Sequence, residues 1–287
     1  MTQTAEVLIR GIDIDKLAKG FAEEDIIFKN FLTVTPTSAR EIRWYQKTAG
    51  LLDSVKTTGI TGSSLTGMSQ LALPTVVEAN WTRQTSYVRK FFVESPWISY
   101  EDLNDSDPDV LATNIRDLTR AVNNQVDQRI YSVLSGSLLL SGAGMGTWTS
   151  GSVGNPILDL LSGSANIRGK SYNIDNIIVL VHPTDYKNLL NWVITLKGSS
   201  IPGFSSDKAQ SGVLMSLVGN KIVVSNNCTL GMAVMLVPQQ VATWKTFMPT
   251  TAQQKEEVGI GIKIRVWEEG EILLTDPNAG FVIKGIV

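Results

Sequence analysis

The sequence has 287 residues, of which 43% are hydrophobic and 18% charged, and its formal net charge is −2. This length and composition give enough apolar surface for one large or two ordinary domains, and the small net charge excludes a strong overall field toward DNA or membranes. A single cysteine, Cys228, cannot form an internal disulfide. No apolar run reaches the ~18 residues that span a bilayer, and the first residues lack a signal-peptide pattern. We therefore expect a soluble protein that is made in the cytoplasm and contacts no membrane.

The leading segment, residues 1–35, carries mixed signals. Its stretch "IDKLAKGFAEEDIIFKNFL" predicts a short amphipathic helix with Leu17, Phe21 and Ile27 or Phe28 turned inward. Gly20 interrupts this pattern, because glycine is a poor helix former.

Residues 36–98 are predicted to form a two-stranded ribbon. "AREIRWYQK" (39–47) alternates with period two and places Ile42 and Trp44 on one face. "ANWTRQTSYVRKFFVES" (79–95) is rich in aromatic and β-branched residues and predicts the second strand. The stretch between them is rich in Gly, Ser and Thr, which favours a long hairpin tip. Because an isolated hairpin is only marginally stable in water, the ribbon needs a burial partner, either the rest of its own chain or another copy.

The clearest helix spans Asp107–Leu134. Asp107 is a suitable N-cap, Pro108 suits the first helical position, and Gly136 suits the end. Apolar residues recur every three or four positions along one stripe: Leu111, Ile115, Leu118, Val122, Val126, Ile130 and Leu134. Roughly 28 residues give a length of about 42 Å. The polar remainder favours a helix that packs across one sheet.

The second half of the chain alternates strands and helices. After a glycine-rich link at 135–156, residues 157–250 contain "NIIVLV", "NKIVVSN" and "MAVMLVP" as predicted strands and "TDYKNLLNWV" as a predicted helix. "VGIGIKIRVWEE" and "EILLTDPNAGFVIKGIV" are predicted as two closing strands joined by a turn. We expect them to return and pack against the first strands and the long helix.

Three stretches invite a catalytic or ligand-binding interpretation. His182 and Asp185 form a candidate acid–base pair, but Pro183, a Thr184 cap and an acidic first turn are explained by the start of a helix. The run "SGAGMGTW" lacks the Gly-Lys-Ser/Thr of a phosphate loop and follows a helix. One cysteine and one histidine cannot make a structural zinc site, and "EDLNDSDPD" (101–109) lacks the glycine and terminal glutamate of an EF-hand loop. We expect no catalytic residue, cofactor or metal, and interpret 101–109 as an acidic helix entry.

The ribbon is locally positive. Its basic residues are Arg40, Arg43, Lys47, Lys56, Arg83, Arg89 and Lys90. A solvated strand face would account for this charge. The alternative is that the ribbon meets the acidic helix entry of another copy, because electrostatic complementarity sets register and partner choice.

The order of these parts resembles the major capsid proteins of tailed bacteriophages, the Hong Kong 97 fold. "VLVHPTDYKNLLNW" is similar to the strand, Asn-or-His-Pro, helix element of that family's axial domain. "LVGNKIVVSNN" is similar to its strand followed by a turn, and "VWEEGEILLTDPNAGFVIKG" to its closing peripheral strands. The resemblance implies an α+β fold with the following parts: an N-terminal arm at 1–35, an extended β-hairpin loop at 36–98, a peripheral domain at 99–156 with a long spine helix and an antiparallel sheet, an α/β axial domain at 157–250, and returning peripheral strands at 251–287.

The resemblance also implies a function. Members of this family assemble as pentamers and hexamers of an icosahedral head that encloses double-stranded DNA. The expected partners are therefore further copies of the chain, DNA bound non-specifically at the inner surface, and portal, scaffold or decoration proteins. The expected location is the virion shell, assembled in the host cytoplasm.

Two other functions stay open at this point. An encapsulin-like compartment shell that packages enzyme cargo has the same fold, and a small hydrolase built on His182 and Asp185 is the more distant alternative. If the shell interpretation holds, the candidate contacts between copies are Arg40, Arg43, Trp44, Trp81, Arg83, Arg89, Asp105, Asp107 and Asp109.

Overall fold

Long strands and one long helix dominate the residues that the computed structural model describes, which are 14, 16–20, 26–47, 81–105, 110–150, 153–170, 176–196 and 216–287. The strands are β1 Thr33–Pro36, β2 Glu41–Lys47, β3 Trp81–Tyr87, β4 Arg89–Glu94, β5 Ile98–Ser99, β6 Leu140–Ala143, β7 Ile178–Val181, β8 Ser216–Leu217, β9 Asn220–Val224, β10 Met232–Leu236, β11 Ala242–Glu257, β12 Gly261–Leu274 and β13 Gly280–Lys284. The α-helices are α1 Tyr100–Asp105, α2 Val110–Ser137, α3 Pro156–Arg168 and α4 Pro183–Asn191. Short helical turns cover Lys29–Phe31, Trp192–Leu196 and Pro277–Ala279.

The chain divides into two compact units. The first unit draws on Met1–Ile42, Ser86–Ser132 and Thr243–Leu273. The second unit draws on Arg43–Thr85, Val133–Ala242 and Leu274–Val287. Both units are therefore assembled from segments that lie far apart in the sequence.

The first unit is a sheet covered by α2. Its strand order is β1-β11-β12-β4, and β5 also pairs with β12. Strand β1 runs parallel to β11, whereas β4 and β5 run antiparallel to β12. The core between helix and sheet is apolar and includes Ile115, Leu118, Val122, Ile262, Ile264 and Val266.

Helix α2 confirms the predicted long helix and its apolar stripe. Its 28 residues give a length of about 42 Å. The buried apolar residues are Ile115, Leu118, Val122, Val126, Ile130 and Leu134. The predicted cap, Asp107 with Pro108, lies outside the described residues.

A second line of α2 residues is also buried, although the sequence predicted one apolar stripe and a polar remainder. Thr119, Asn123, Asp127 and Tyr131 follow one another at four-residue spacing and are each less than 5% exposed. Because residues four apart lie on one helix face, this line forms a second contact surface. The segment around Phe28 covers it, since the Phe28 and Tyr131 rings lie 6.3 Å apart.

The leading segment only partly follows the prediction. Residues 14 and 16–20 are helical, with Ile14 and Ala18 buried. Phe28 is buried as predicted, but Leu17 is 41% exposed, so the inward face is one position away from the predicted one. Phe21 lies outside the described residues.

The second unit is built on a six-stranded sheet in the order β6-β13-β10-β7-β9-β8. The predicted strands β7, β9 and β10 and the predicted helix α4 are confirmed. All four residues of β7 are buried. Helix α3 approaches β10 closely, because a Cβ added at Gly163 would lie 2.3 Å from the Met235 sulfur.

Two strand predictions need correction here. The stretch 79–95 forms two strands in different sheets: β3 pairs with β2, and β4 pairs with β12. Val88 lies between the two strands and belongs to neither. Its N–H donates to the carbonyl of Arg40, the residue just before β2. The glycine-rich link contains β6, which pairs in parallel with β13.

The closing strands also differ from the prediction. Strand β12 is continuous from Gly261 to Leu274 and returns to β4, as expected. Strand β13 does not accompany it; it pairs with β10 and β6 in the six-stranded sheet. The change of sheet follows Asp276, whose side chain accepts a hydrogen bond from the Asn278 N–H and caps the short helix at Pro277–Ala279.

Candidate assembly surfaces

The start of the ribbon is fixed to its own chain. The Trp44 indole N–H donates to the Leu274 carbonyl at 3.1 Å. The Lys47 N–H donates to the Thr275 carbonyl, and the Lys47 ammonium lies 3.8 Å from the Asp276 carboxylate. Trp44, a predicted contact between copies, is therefore engaged within the second unit and is only half-buried.

The other described ribbon residues leave large side chains open. Tyr45 is 63% exposed and Trp81 is 56% exposed. Arg43 and Arg83 are also exposed, and Arg43 makes a contact within the chain. The two strands are linked by a 3.2 Å hydrogen bond that the Gln84 side-chain amide donates to the Gln46 side-chain oxygen Oε1.

Strand β12 carries three buried carboxylates, which we call the carboxylate row: Glu268, Glu269 and Glu271. Their residues are only 1%, 6% and 0% exposed. Buried carboxylates require partners, because an unpaired buried charge is strongly unfavourable. The row was missed at the sequence level, although "EEGE" inside an apolar strand was the available signal.

Cations from four segments converge on the carboxylate row. The Lys29 ammonium hydrogen-bonds to Glu268. Arg40 and Lys90 lie 3.5 Å and 3.7 Å from Glu269. Glu271 pairs with Arg89 at 3.0 Å and with Arg129 at 2.6 Å.

These ion pairs change the interpretation of two predicted contacts. Arg40 and Arg89 meet carboxylates of their own chain, and their side chains nevertheless stay 71% and 57% exposed. They can therefore hold the first unit together and still face solvent or another copy. Arg129, which anchors α2 to β12, was not predicted.

Asp127 joins α2 to the leading segment. One of its carboxylate oxygens accepts a hydrogen bond from the Phe28 N–H at 3.4 Å. Burial raises the pKa of Asp127 to about 6, against the lowering effects of that N–H and of Lys29. The segment is thus held by an apolar contact, a backbone hydrogen bond to a buried carboxyl, and the Lys29–Glu268 pair.

The acidic helix entry is described only at its start. Glu101 and Asp102 are exposed in the first turn of α1. The Asp102 N–H donates to the Ser99 hydroxyl at 3.0 Å. The side chain of Asp105, and all of Asp107 and Asp109, lie outside the described residues.

His182 has a structural role at the start of α4. Its Nδ1 accepts a hydrogen bond from the Thr184 N–H at 3.2 Å, so His182 is the cap and the predicted Thr184 cap is wrong. Asp185 is buried, and its carboxylate accepts the Gly231 N–H at 2.9 Å. Burial raises the pKa of Asp185. The two side chains thus cap a helix and anchor the start of β10.

The glycine-rich stretch "SGAGMGTW" is likewise structural. Trp148 is fully buried, and its indole N–H donates to Asp159 at 2.9 Å. The second Asp159 oxygen accepts the Met145 N–H at 2.9 Å. These contacts tie the stretch to α3, so its backbone donors serve the fold.

The described part of the chain was searched for metal clusters and for cavities that could hold a small molecule. No cluster of three His, Cys, Asp or Glu suited to a metal ion occurs among these residues. An open cavity of about 360 Å³ lies between the leading segment and β11, lined in part by Lys19, Ile26, Val34 and Thr250. None of the described helices is long and apolar enough to cross a membrane.

Comparisons with known proteins point in one direction. A family model described as phage capsid protein matches residues 97–283. No curated protein matches the sequence significantly.

Solved structures share the fold at low sequence identity. A virus-like particle from Pyrococcus furiosus matches with a TM-score of 0.65 and 12% identity, covering 96% of this chain and 99% of that one. The capsid of the cyanophage P-SCSP1u matches with a TM-score of 0.65 and 13% identity, covering 90% and 88%. The mature capsid of bacteriophage PhiM1 matches with a TM-score of 0.61 and 10% identity, covering 90% and 86%.

Proposed function

Because the chain belongs to the phage capsid protein family and has the Hong Kong 97-type α+β fold of a capsid shell protein, we propose that it is the major capsid protein of a tailed virus. Copies assemble as pentamers and hexamers of an icosahedral head around double-stranded DNA. The shell forms in the host cytoplasm and becomes part of the virion. Portal, scaffold and decoration proteins are its further proposed partners.

The observation that best supports this proposal is the exposure of large aromatic side chains on the ribbon strands β2 and β3. Tyr45, Trp81 and Tyr87 are each more than half exposed on strands β2 and β3. A group of exposed aromatic side chains is unusual on an isolated soluble protein, and such groups mark interaction surfaces. A second copy is the burial partner that the family supplies, so the ribbon of β2 and β3 acts as the extended loop, and β4 and β5 join it to the sheet of the first unit.

The remaining parts take corresponding roles. Residues 1–35 act as the N-terminal arm, and α2 with the returning strands β11 and β12 forms the peripheral domain. The axial domain is centred on 157–250. In this arrangement Arg43, Trp81 and Arg83 meet the acidic helix entry of a neighbour, including Asp105, Asp107 and Asp109.

Electron microscopy of the expressed protein tests the proposal directly. Closed icosahedral particles containing nuclease-protected double-stranded DNA, when produced with the packaging proteins, are the expected result. Arg83→Glu should lower particle yield, whereas Lys187→Glu, a reversal of an exposed lysine on α4, should not. A protein that stays monomeric under all assembly conditions would overturn the proposal.

A second candidate is an encapsulin-like compartment that packages enzyme cargo. It is favoured by the likeness to the Pyrococcus furiosus particle, which extends over 99% of that chain. Particle contents distinguish the two functions, because a compartment would carry protein cargo without DNA. Neither candidate needs an enzymatic site, since His182 and Asp185 are accounted for by the start of α4.

A further inference from the structure

The later part of the leading segment, residues 26–37, lies against α2, and we call it the strap. The Phe28 ring lies 6.3 Å from the Tyr131 ring, and Phe28 itself is 1% exposed. The Phe28 N–H donates to the Asp127 carboxylate at 3.4 Å. A backbone hydrogen bond from Ile27 reaches the same carboxyl group. The strap therefore covers Asp127 with both side chain and backbone.

Two further contacts hold the strap to the sheet of the first unit. The Lys29 ammonium pairs with Glu268 of β12. Strand β1 lies at the edge of the sheet, with β11 as its one partner among the described strands, and the Thr37 N–H extends this pairing to the Thr246 carbonyl at 2.9 Å. Because β1 is an edge strand of only four residues, it can leave β11 without breaking any other strand pairing.

The flank of α2 beneath the strap is polar. Thr119, Asn123 and Asp127 are buried there, each less than 5% exposed. The Thr119 hydroxyl donates to the carbonyl of Ile115 in its own helix at 2.7 Å, so it keeps this bond whether or not the flank is covered. A surface that is covered in every state gains most from apolar side chains, as the apolar stripe of α2 illustrates. The polar side chains of this flank instead suit a surface that meets water for part of the time.

We propose that the strap lifts off α2 and β11 as one unit while the rest of the first unit stays folded, and that proton uptake by Asp127 closes it. In the closed form Asp127 lies beneath Phe28, and in the open form its carboxyl group reaches water. The strap is thus a pH-sensitive device within the folded chain, and it does not depend on the proposed shell function.

Burial has the largest effect on Asp127 and raises its pKa to about 6. The charges around this carboxyl come from the strap and from β12: Lys29 lowers the pKa of Asp127, Glu268 raises it, and these two groups pair with each other. Thr250 of β11 donates a further hydrogen bond to Glu268 at 3.2 Å. The next titratable side chain along this flank of α2 is that of Tyr131.

The raised value gives the direction and the size of the response. Because the closed form binds the proton more tightly, closing is favoured as the pH falls through about 6, and the full effect is present below 3.8, the ordinary pKa of the Asp127 carboxyl. At about pH 7.5 Asp127 is ionised in both forms, whereas at about pH 5 it is mostly protonated in the closed form alone. The equilibrium constant for closing should therefore be about tenfold higher at the lower pH.

Amide hydrogen exchange of the folded, unassembled chain tests both parts of the proposal. Each exchange rate is divided by that of an unstructured peptide at the same pH, which gives a protection factor free of the intrinsic pH dependence. The Phe28 and Thr37 amides should be about tenfold better protected at about pH 5 than at about pH 7.5. Their protection should also lie well below that of the Ser95 amide, which donates to the Ile264 carbonyl inside the sheet and exchanges when the unit unfolds.

Substitutions identify the group responsible. Asp127→Asn removes the titrating carboxyl, so the protection of the Phe28 amide should no longer change between the two pH values. Lys29→Gln removes a cation that lowers the pKa of Asp127, so the midpoint of the response should move to higher pH. Lys187→Gln, which removes an exposed cation on α4, is the matched control and should leave the midpoint in place.

Several results would overturn the inference. Equal protection of the Phe28, Thr37 and Ser95 amides would mean that the strap moves only when the unit unfolds. Wild-type protection that does not change with pH, or an Asp127→Asn variant that keeps the wild-type response, would remove Asp127 as the switch. If Asp127→Asn does not fold, an unchanged midpoint in Lys29→Gln decides against the proposal. Particle assembly is measured separately, because a strap that does not respond to pH leaves the shell function standing.

Discussion

Replacing Asp127 by asparagine should stabilise the subunit at neutral pH. In the folded protein the Asp127 carboxyl is 4% exposed, and burial raises its pKa from 3.8 to about 6. A difference of this size corresponds to about 3 kcal/mol, since each pKa unit is worth about 1.4 kcal/mol. Keeping the buried carboxylate ionised therefore costs a substantial part of the free energy of unfolding of a domain, which is about 5–15 kcal/mol.

The direction with pH follows from the raised value. Because the folded state binds the proton more tightly than the unfolded state, Asp127 lowers stability fully above about pH 6. The effect declines as the pH falls from about 6 toward 3.8 and disappears below that window. An asparagine side chain at this position cannot ionise, and its amide oxygen can still accept the Phe28 N–H. Since its amide N–H groups also need partners, we expect a net gain of about 1–2 kcal/mol at neutral pH.

Urea unfolding of unassembled subunits, followed by tryptophan fluorescence, measures this gain. Wild type and Asp127→Asn are compared at about pH 7.5 and about pH 5, and the gain should fall by about 1.4 kcal/mol, most of its value, at the lower pH. Because other titrating groups are common to both proteins, the difference between them isolates Asp127. A variant that is less stable than wild type at neutral pH, or a gain that does not change with pH, would refute the reasoning.

Three further substitutions test separate features. Val218 has a φ of +55°, a strained conformation for a β-branched residue, so Val218→Asn should raise the free energy of unfolding by about 1 kcal/mol in thermal melts. A Cβ at Gly270 would lie 2.6 Å from the Trp244 ring, so Gly270→Ala should lower the urea midpoint by an amount equivalent to about 2–3 kcal/mol. Arg129→Met leaves Glu271 paired with fewer cations and should cost about 3 kcal/mol; unchanged stability would mean that this ion pair contributes little.

Matched controls separate these effects from generic ones. Leu230→Asn changes an apolar residue of comparable exposure without a strained backbone and should give no gain. A Cβ at Gly136 meets no atom within 4 Å, so Gly136→Ala should stabilise α2 by about 0.5–1 kcal/mol. Lys187→Met, which removes an exposed cation, should change stability by less than about 0.5 kcal/mol.

The spacing of apolar residues in the sequence correctly predicted the helices and strands that bury apolar side chains. The stripe of α2 and the continuous apolar run of β7 indicate both the type of element and its buried residues, because side-chain spacing alone decides them. The family resemblance then supplied the fold, from the order of the elements.

Long-range pairing could not be predicted from the same patterns. Glu271 is buried because Arg129, 142 positions away, reaches it, and nothing near Glu271 in the sequence encodes that partner. The polar line of α2 was counted with the polar remainder of a helix that packs on one side, since Thr119 and Asp127 are polar and their burial depends on the distant segment around Phe28. The break at Val88 depends on a hydrogen bond to Arg40, so a continuous strand was the natural local prediction.

In the first unit, strand β1 is made long before its partner strand β11. Thr33 of β1 pairs with Thr243 of β11, so about two hundred residues must be added before β1 has a partner, roughly 10–40 seconds at 5–20 residues per second. Until α2 has been made, Phe28, which ends fully buried, also lacks the helix surface that covers it. A nascent chain in this state offers an apolar segment to chaperones, and its unpaired β1 can pair with a strand from a neighbouring chain. The rate at which the leading segment docks should therefore decide how much of the chain reaches assembly as correctly closed subunits, because this segment is made well before the strand with which it pairs.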